Sequence, residues 1–442
     1  MRAPLTLKRF TPWVVALTLV GATPVSFAAS PEPLDLQKAY ALARERDASF
    51  QVARAQLEAA REQLPQARAR QLPAIGFSSS RTRVQQDRKD ESQPFPTQTY
   101  VSEADSISLR QPLFNRRIDA SVRQAEQSTL AAEASMRRQQ ADLLVRTTQA
   151  YLSVLLAQER LTLVEAQQQS VQSRLLAARG AFAAGTGIRT DIDELAAQLD
   201  VLKAQALSAR QAILKAKLDL ETIVGQPVGT LSQQVLVREG LVRMAQIQPL
   251  EHWLSQGLAN HPEVEARQRA LEAARANLEG AKADRLPTVD LTAQLARSSS
   301  ENSYFVNSIT TNRTVGVQLA VPIYQGGAID SRERQAVAQV REAEAQLELA
   351  QHRVRQEVQQ AYFAVKESLD RMEALELAVQ SAAQVVVANE QSFKAGLRTT
   401  LDIVAAQQRE AQARLDLQNA RLDLVMGRVR LDVSVGEVDA PR

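Results

Sequence analysis

Apolar residues recur along this chain with two different periods. Val289, Leu291, Ala293 and Leu295 alternate with Thr288, Asp290, Thr292 and Gln294, and Val315, Val317, Leu319 and Val321 alternate with Gly316, Gln318 and Ala320. Period two marks a strand with unlike faces. A looser version occurs earlier, where Ile75 and Phe77 precede Ser78-Ser79-Ser80, and Ile107 and Leu109 stand against Ser106, Ser108 and Arg110. Strands are therefore expected at 73–83, 104–114, 287–297 and 313–324. The polar segments 84–103 and 298–312 read as exposed loops joining the members of each pair.

Elsewhere the pattern is helical. No proline occurs between Ile118 and Gln226 or between Ile323 and Ala440, and both stretches are rich in Ala, Gln, Leu, Arg and Glu, which form helices at little conformational cost. Helices are expected at 34–71, 118–183, 191–224, 249–285, 329–395 and 402–432. The two longest, at 1.5 Å per residue, are rods of roughly 95–100 Å. In each copy the two shorter helices sum to about one rod, so they should stack end to end beside it. Pro65 should bend the first helix.

The order helix, strand, loop, strand, long helix, turn, helix occurs twice. Leu72-Pro73 returns as Leu286-Pro287, Gln111-Pro112-Leu113-Phe114 as Val321-Pro322-Ile323-Tyr324, Ala150-Tyr151 as Ala361-Tyr362, and Phe182 to Asp191 as Phe393 to Asp402. The chain thus divides into a first repeat, 29–227, a linker, 228–248, and a second repeat, 249–442.

Ahead of the first repeat, Arg2, Lys8 and Arg9 precede an apolar run from Trp13 to Val20 and then Ser26-Phe27-Ala28. Residues 1–28 read as a secretory signal peptide. Its removal takes three basic residues and no acidic one, bringing the formal charge of +3 to about zero. With no clustered basic stripe, a nucleic-acid partner is not expected. The chain has no cysteine, which excludes disulfides, thiolate metal sites, a cysteine nucleophile and lipid attachment at an N-terminal cysteine. His252, His261 and His352 are scattered without ligand spacing and read as surface residues. No metal site, cofactor or catalytic constellation is expected, and so no enzyme.

Each strand pair, about ten residues per strand with one apolar face, fits a membrane barrel, although a soluble sheet packed on helices has the same period. Four strands are too few to close a barrel, and an open edge in lipid leaves backbone groups unpaired. Several chains must then contribute; three would give twelve strands, and this arithmetic also admits a dimer.

The duplicated order, the Leu-Pro ending each first helix, the strand ends Q-P-L-F and V-P-I-Y-Q-G-G, and the turns F-A-A-G-T-G-I-R-T-D-I and F-K-A-G-L-R-T-T-L-D-I together resemble the TolC family of outer-membrane efflux proteins, over essentially the whole mature chain. The opening L-D-L-Q-K-A-Y-A-L-A-R-E-R-D and the later A-R-A-R-Q-L-P-A-I-G resemble its type I secretion branch. The resemblance implies a mainly α fold with a transmembrane β-barrel portion: a homotrimer whose twelve-stranded barrel in the outer membrane continues as a helical barrel across the periplasm. It also implies a passive exit duct, for protein secretion or small-molecule efflux. Its partners would be outer-membrane lipid, a periplasmic adaptor and an inner-membrane ABC or proton-driven transporter. The competing reading is a periplasmic coiled-coil adaptor or scaffold without a pore, against which the strand pairs argue.

By the same resemblance, Gly185, Thr186, Gly187, Ile188, Gly396, Leu397 and Arg398 form adaptor-docking tips, and Thr190, Asp191, Phe393, Arg398 and Asp402 form the aperture, with an Asp191–Arg398 ion pair as a latch. Phe393 stands where the family's prototype has a tyrosine, and Ala405 where it has a second aperture aspartate, so the acidic ring is expected to hold three carboxylates. Read locally, the glycines are helix stop signals, a threonine at the N-cap with an acid in the first turn is a helix start, and Asp191 and Asp402 complement a helix N-terminus. Phe114 and Tyr324 are expected at the periplasmic edge of the membrane, in an aromatic girdle or at a packed strand-to-helix joint.

Overall fold

A computed structural model describes residues 33–87, 97–302 and 305–438; the expected signal peptide, 1–28, lies outside them. The first repeat contains α1 (Leu36–Arg46), α2 (Ala48–Arg61), α3 (Gln63–Ala69), β1 (Ala74–Gln86), β2 (Gln98–Phe114), α4 (Arg116–Ala183) and α5 (Arg189–Val224). After α6 (Arg238–Ala245), the second contains α7 (Leu250–Asn260), α8 (Pro262–Ala283), β3 (Thr288–Asn302), β4 (Phe305–Ala320), α9 (Ala328–Lys394) and α10 (Thr400–Ser434).

The long rods lie within two residues of their expected bounds, because Asn115 caps α4 through the Arg117 and Ile118 amides and no proline interrupts either rod. The short helices are more broken than the sequence suggested. The helix expected at 34–71 is three: Asp47 caps α2 by accepting from the Phe50 amide at 2.8 Å, and Pro65, unable to donate to the Arg61 carbonyl, coincides with the break at Glu62. The helix expected at 249–285 is likewise split at His261, which caps α8 ahead of Pro262. The segment 228–248 is no bare linker. Leu231, Val235 and Leu241 are buried, a bridge pairs Leu231 with Leu34, and the Tyr151 hydroxyl donates between the Leu34 and Ser232 carbonyls at 2.9 and 2.6 Å.

Helices α4 and α9 run side by side as the posts of a wall. Between them α8 fills the upper half and α10 the lower, while α1, α2 and α3 flank α4 above and α5 flanks it below. The apolar core lies where these meet mid-wall, around Tyr151, Leu155, Val224, Val354, Val358 and Leu431.

The sheet extends the wall in the order β1-β2-β3-β4, antiparallel throughout. Its strands outrun the expected ranges: 298–302 and 305–312, read as loop, are strand, and so are 84–86 and 98–103. Those ends lack regular alternation in the sequence, yet ladder pairing continues, as in Ser299 with Ile309 and Arg81 with Glu103. At the opposite end β4 stops at Ala320, so Tyr324 lies in irregular chain beyond it.

Candidate functional site

At the end of the wall remote from the sheet, α4 turns into α5 and α9 into α10. Both helices stop in the same way. Gly185 and Gly396 take φ of 76° and 75°, where a side chain is strained. Their amides donate to Phe182 and Phe393, while Thr186 and Leu397 donate one residue further back, to Ala181 and Ser392. These paired bonds satisfy the last carbonyls of each rod. A Cβ on Gly187 would lie 2.8 Å from the Phe182 amide nitrogen, so this turn accepts only glycine there.

The two helix starts differ. Thr399 and Asp402 form a capping box on α10, each side chain accepting from the other residue's amide; these bonds, with Arg398 adding to them, hold the Asp402 carboxyl below its ordinary value. In the first turn the capping position belongs to Ile188, which has no acceptor, and Thr190 is already inside α5. The N-caps of the two helices are thus Ile188 and Thr399, not Thr190 and an equivalent threonine. Ile188 and Leu397 are exposed, as are Phe182 and Phe393, so each tip shows an apolar pair to solvent.

The latch also differs from expectation. Arg398 pairs with Asp402 on its own turn, at 3.6 Å, and Asp191 does not join it. Within one chain, the two coils are tied about two to three turns above the tips instead. Arg174 of α4 pairs with Glu390 of α9 at 2.8 Å, and the Ser170 hydroxyl donates to Gln407 of α10 at 2.8 Å; within the second coil, the Asn389 side-chain amide donates to the Asp402 carbonyl at 3.3 Å. No local signal announces Arg174–Glu390, whose members are 216 residues apart.

At the other end the sheet separates its faces. Ile75, Leu109, Ala293 and Val315 align in one cross-strand row and Phe77, Ile107 and Leu295 in the next; Ile75, Phe77 and Val315 are 71%, 70% and 79% exposed. The reverse face carries Ser78, Ser106, Ser108, Thr292 and Gln294, and Arg110 pairs there with Asp290 at 2.7 Å. Where sheet meets helices, Asp284 accepts from Arg117 of α4 and from Arg332 of α9, the latter at 2.6 Å. Phe114 and Tyr324 are both exposed at this level.

One histidine corrects the sequence reading. His252 and His352 are exposed, but His261 is 5% exposed. Its Nδ1 accepts from the Glu263 amide at 3.1 Å. Burial and neighbouring Arg138 push it down to about 4. Proline at the next position was the available signal for a helix start, and a capping side chain is drawn inward with its helix.

A sheet with an uncovered apolar face, standing on rods about 100 Å long, defines the wall of a membrane channel. Among the described residues no helix is long and apolar enough to cross a membrane. The model of the family described as outer membrane efflux protein matches residues 39–226 and 253–437, and the chain belongs to that family. Alkaline protease secretion protein AprF of Pseudomonas aeruginosa is 31% identical over 98% of this chain and 90% of its own. Proteases secretion protein PrtF of Dickeya chrysanthemi is 28% identical, over 93% and 90%. The solved outer membrane protein VceC of Vibrio cholerae superposes with a TM-score of 0.75 at 20% identity, covering 91% of this chain and 96% of that one. The protein is an outer-membrane export channel of the TolC type that reaches into the periplasm.

Proposed function

We propose that three copies close into one passive duct that carries secreted protein across the outer membrane. The observation that carries this reading is that a single chain is open along the same two edges at every level. One edge consists of β1, α2 with α3, and α5; the other consists of β4 and α9. Joining one copy's first edge to the next copy's second pairs β1 with β4 and sets α5 antiparallel to α9. Counting residues from the tips brings exposed Leu207 level with Leu377 and Leu218 with Phe363. Three is the number the family resemblance supplies, with twelve strands in all.

In this assembly the apolar sheet face meets outer-membrane lipid and the polar face lines the pore. Protein cargo is supported by the full-length similarity to two relatives named for protease secretion, which favours an ABC transporter as the inner-membrane partner. The tips, through Gly185, Thr186, Gly187, Ile188, Gly396, Leu397 and Arg398, dock a periplasmic adaptor. Thr190, Asp191, Phe393, Arg398 and Asp402 narrow the duct above them until docking spreads the coils. The chain itself does no chemistry; its partners supply the energy. Planar-bilayer recording tests the reading: purified protein should give discrete conductance steps, small at rest and enlarged in Arg174→Ala. Absence of any conductance from protein assembled in the outer-membrane fraction would overturn it.

A further inference from the structure

The duplication builds two joints at mid-wall that differ in chemistry. In the first repeat α1 ends and α2 begins at Asp47, facing Arg146 of the adjacent rod. In the second, α7 ends and α8 begins at His261, facing Glu357. These residues occupy matching places: Asp47 and His261 each end the first short helix of their repeat, and Arg146 and Glu357 each lie four residues before the repeated Ala-Tyr. Both cap the next helix, and both are nearly buried, at 4% and 5%. The charges are exchanged: a fixed anion beside a fixed cation in one joint, and a titratable base beside an anion in the other.

We propose that His261 makes the second joint proton-operated while the first stays shut, so that acid releases one side of each protomer's wall. The cap bond from the Glu263 amide leaves Nδ1 without a proton and places the hydrogen on Nε2. A proton added at Nδ1 sets donor against donor and uncaps the first turn of α8. A cavity of about 410 Å³ adjoins the ring between α4, α8, α9 and α10, giving water a route to it and the ring room to turn. Around the joint stand Arg138 and Asp142 of α4, Glu263 of α8, Arg353 and Glu357 of α9, and Arg430 of α10; α7 contributes no charged side chain to the cavity lining.

Arg138 is engaged by Glu263 and opposes a second cation, whereas Glu357, with its oxygen 3.7 Å from Nε2, attracts one. Burial, acting first, and Arg138 outweigh Glu357 and hold the ring uncharged in the closed joint. An opened joint takes up its proton near the ordinary imidazole value, so opening becomes easier as pH falls below that value, until the closed joint is protonated too. The equivalent Asp47 titrates below the ordinary carboxylate range: burial raises it, but bonds from Ser49, Phe50 and Arg146 more than offset that. It therefore keeps its charge throughout the window in which His261 acts.

Hydrogen exchange on the assembled channel in mild detergent tests this, with rates corrected for intrinsic pH dependence. Between pH 7 and pH 5, protection of the Glu263, Val264 and Glu265 amides should fall more than tenfold, while Ser49, Phe50 and Gln51 change less than threefold. His261→Asn, which keeps a capping acceptor and does not titrate, should abolish the pH dependence at α8. Equal loss at both joints, no loss at α8, or the same loss in His261→Asn would overturn the proposal. The comparison of the two joints within the unsubstituted chain decides the matter even if the variant folds poorly.

Discussion

Arg174 and Glu390 join the two coils of one protomer through a 2.8 Å ion pair whose arginine is 19% exposed, and this pair, with Ser170–Gln407, stands above the tips where Asp191–Arg398 was expected. A pair so placed contributes on the order of 1 kcal/mol, and three copies act on one aperture. Arg174→Ala and Glu390→Ala should each enlarge resting conductance in planar bilayers several-fold. The exchange Arg174→Glu with Glu390→Arg should return it toward the starting value, whereas uniformly low conductance in both single variants would remove the pair from the closure.

Edge closure predicts a contact between copies. Leu207→Cys with Leu377→Cys, in a chain that otherwise has no cysteine, should give covalent dimers and trimers under mild oxidation, read on a denaturing gel. Leu207→Cys with Leu349→Cys, far apart in height, should give little. Equal yields from both would mean that the copies are not aligned as described.

The tips depend on left-handed glycine. Gly185→Ala and Gly396→Ala should each cost about 1–2 kcal/mol in tip stability from backbone strain, and Gly187→Ala more, because its Cβ meets Phe182 backbone. Limited proteolysis should show faster cleavage at 184–188 or 395–399, without a change in the oligomer.

Tyr151 anchors segment 228–248 to the rod. Tyr151→Phe leaves the Leu34 and Ser232 carbonyls without their hydroxyl donor and should cost about 1–3 kcal/mol, seen as a lower Tm and earlier cleavage within 228–248. An unchanged Tm would mean that water replaces the hydroxyl at no cost.

What the sequence revealed and concealed follows from how local each cause is. The rods, the two glycine turns and the strand alternation are set by residues within a few positions of one another, so Gly396 and Leu291 could be read directly. The duplication strengthened this, since the clear pattern at Val289–Leu295 supported the looser one at Ile75–Phe77. Asp47 and His261 were missed as helix boundaries although each carries a capping signal, because the surrounding helical composition outweighed a single residue. Strand extension through 305–312 was hidden because alternation needs unlike neighbours, and Thr310 to Thr314 are polar without a break. Arg174–Glu390 was out of reach, since only the folded wall brings the two repeats together.

The account rests on one chain owning a fraction of a cylinder. Native mass spectrometry of the signal-free protein, released from mild detergent, measures this directly. A dominant species at three times the mass of the mature chain is the predicted result, and a population consisting only of single chains would contradict it.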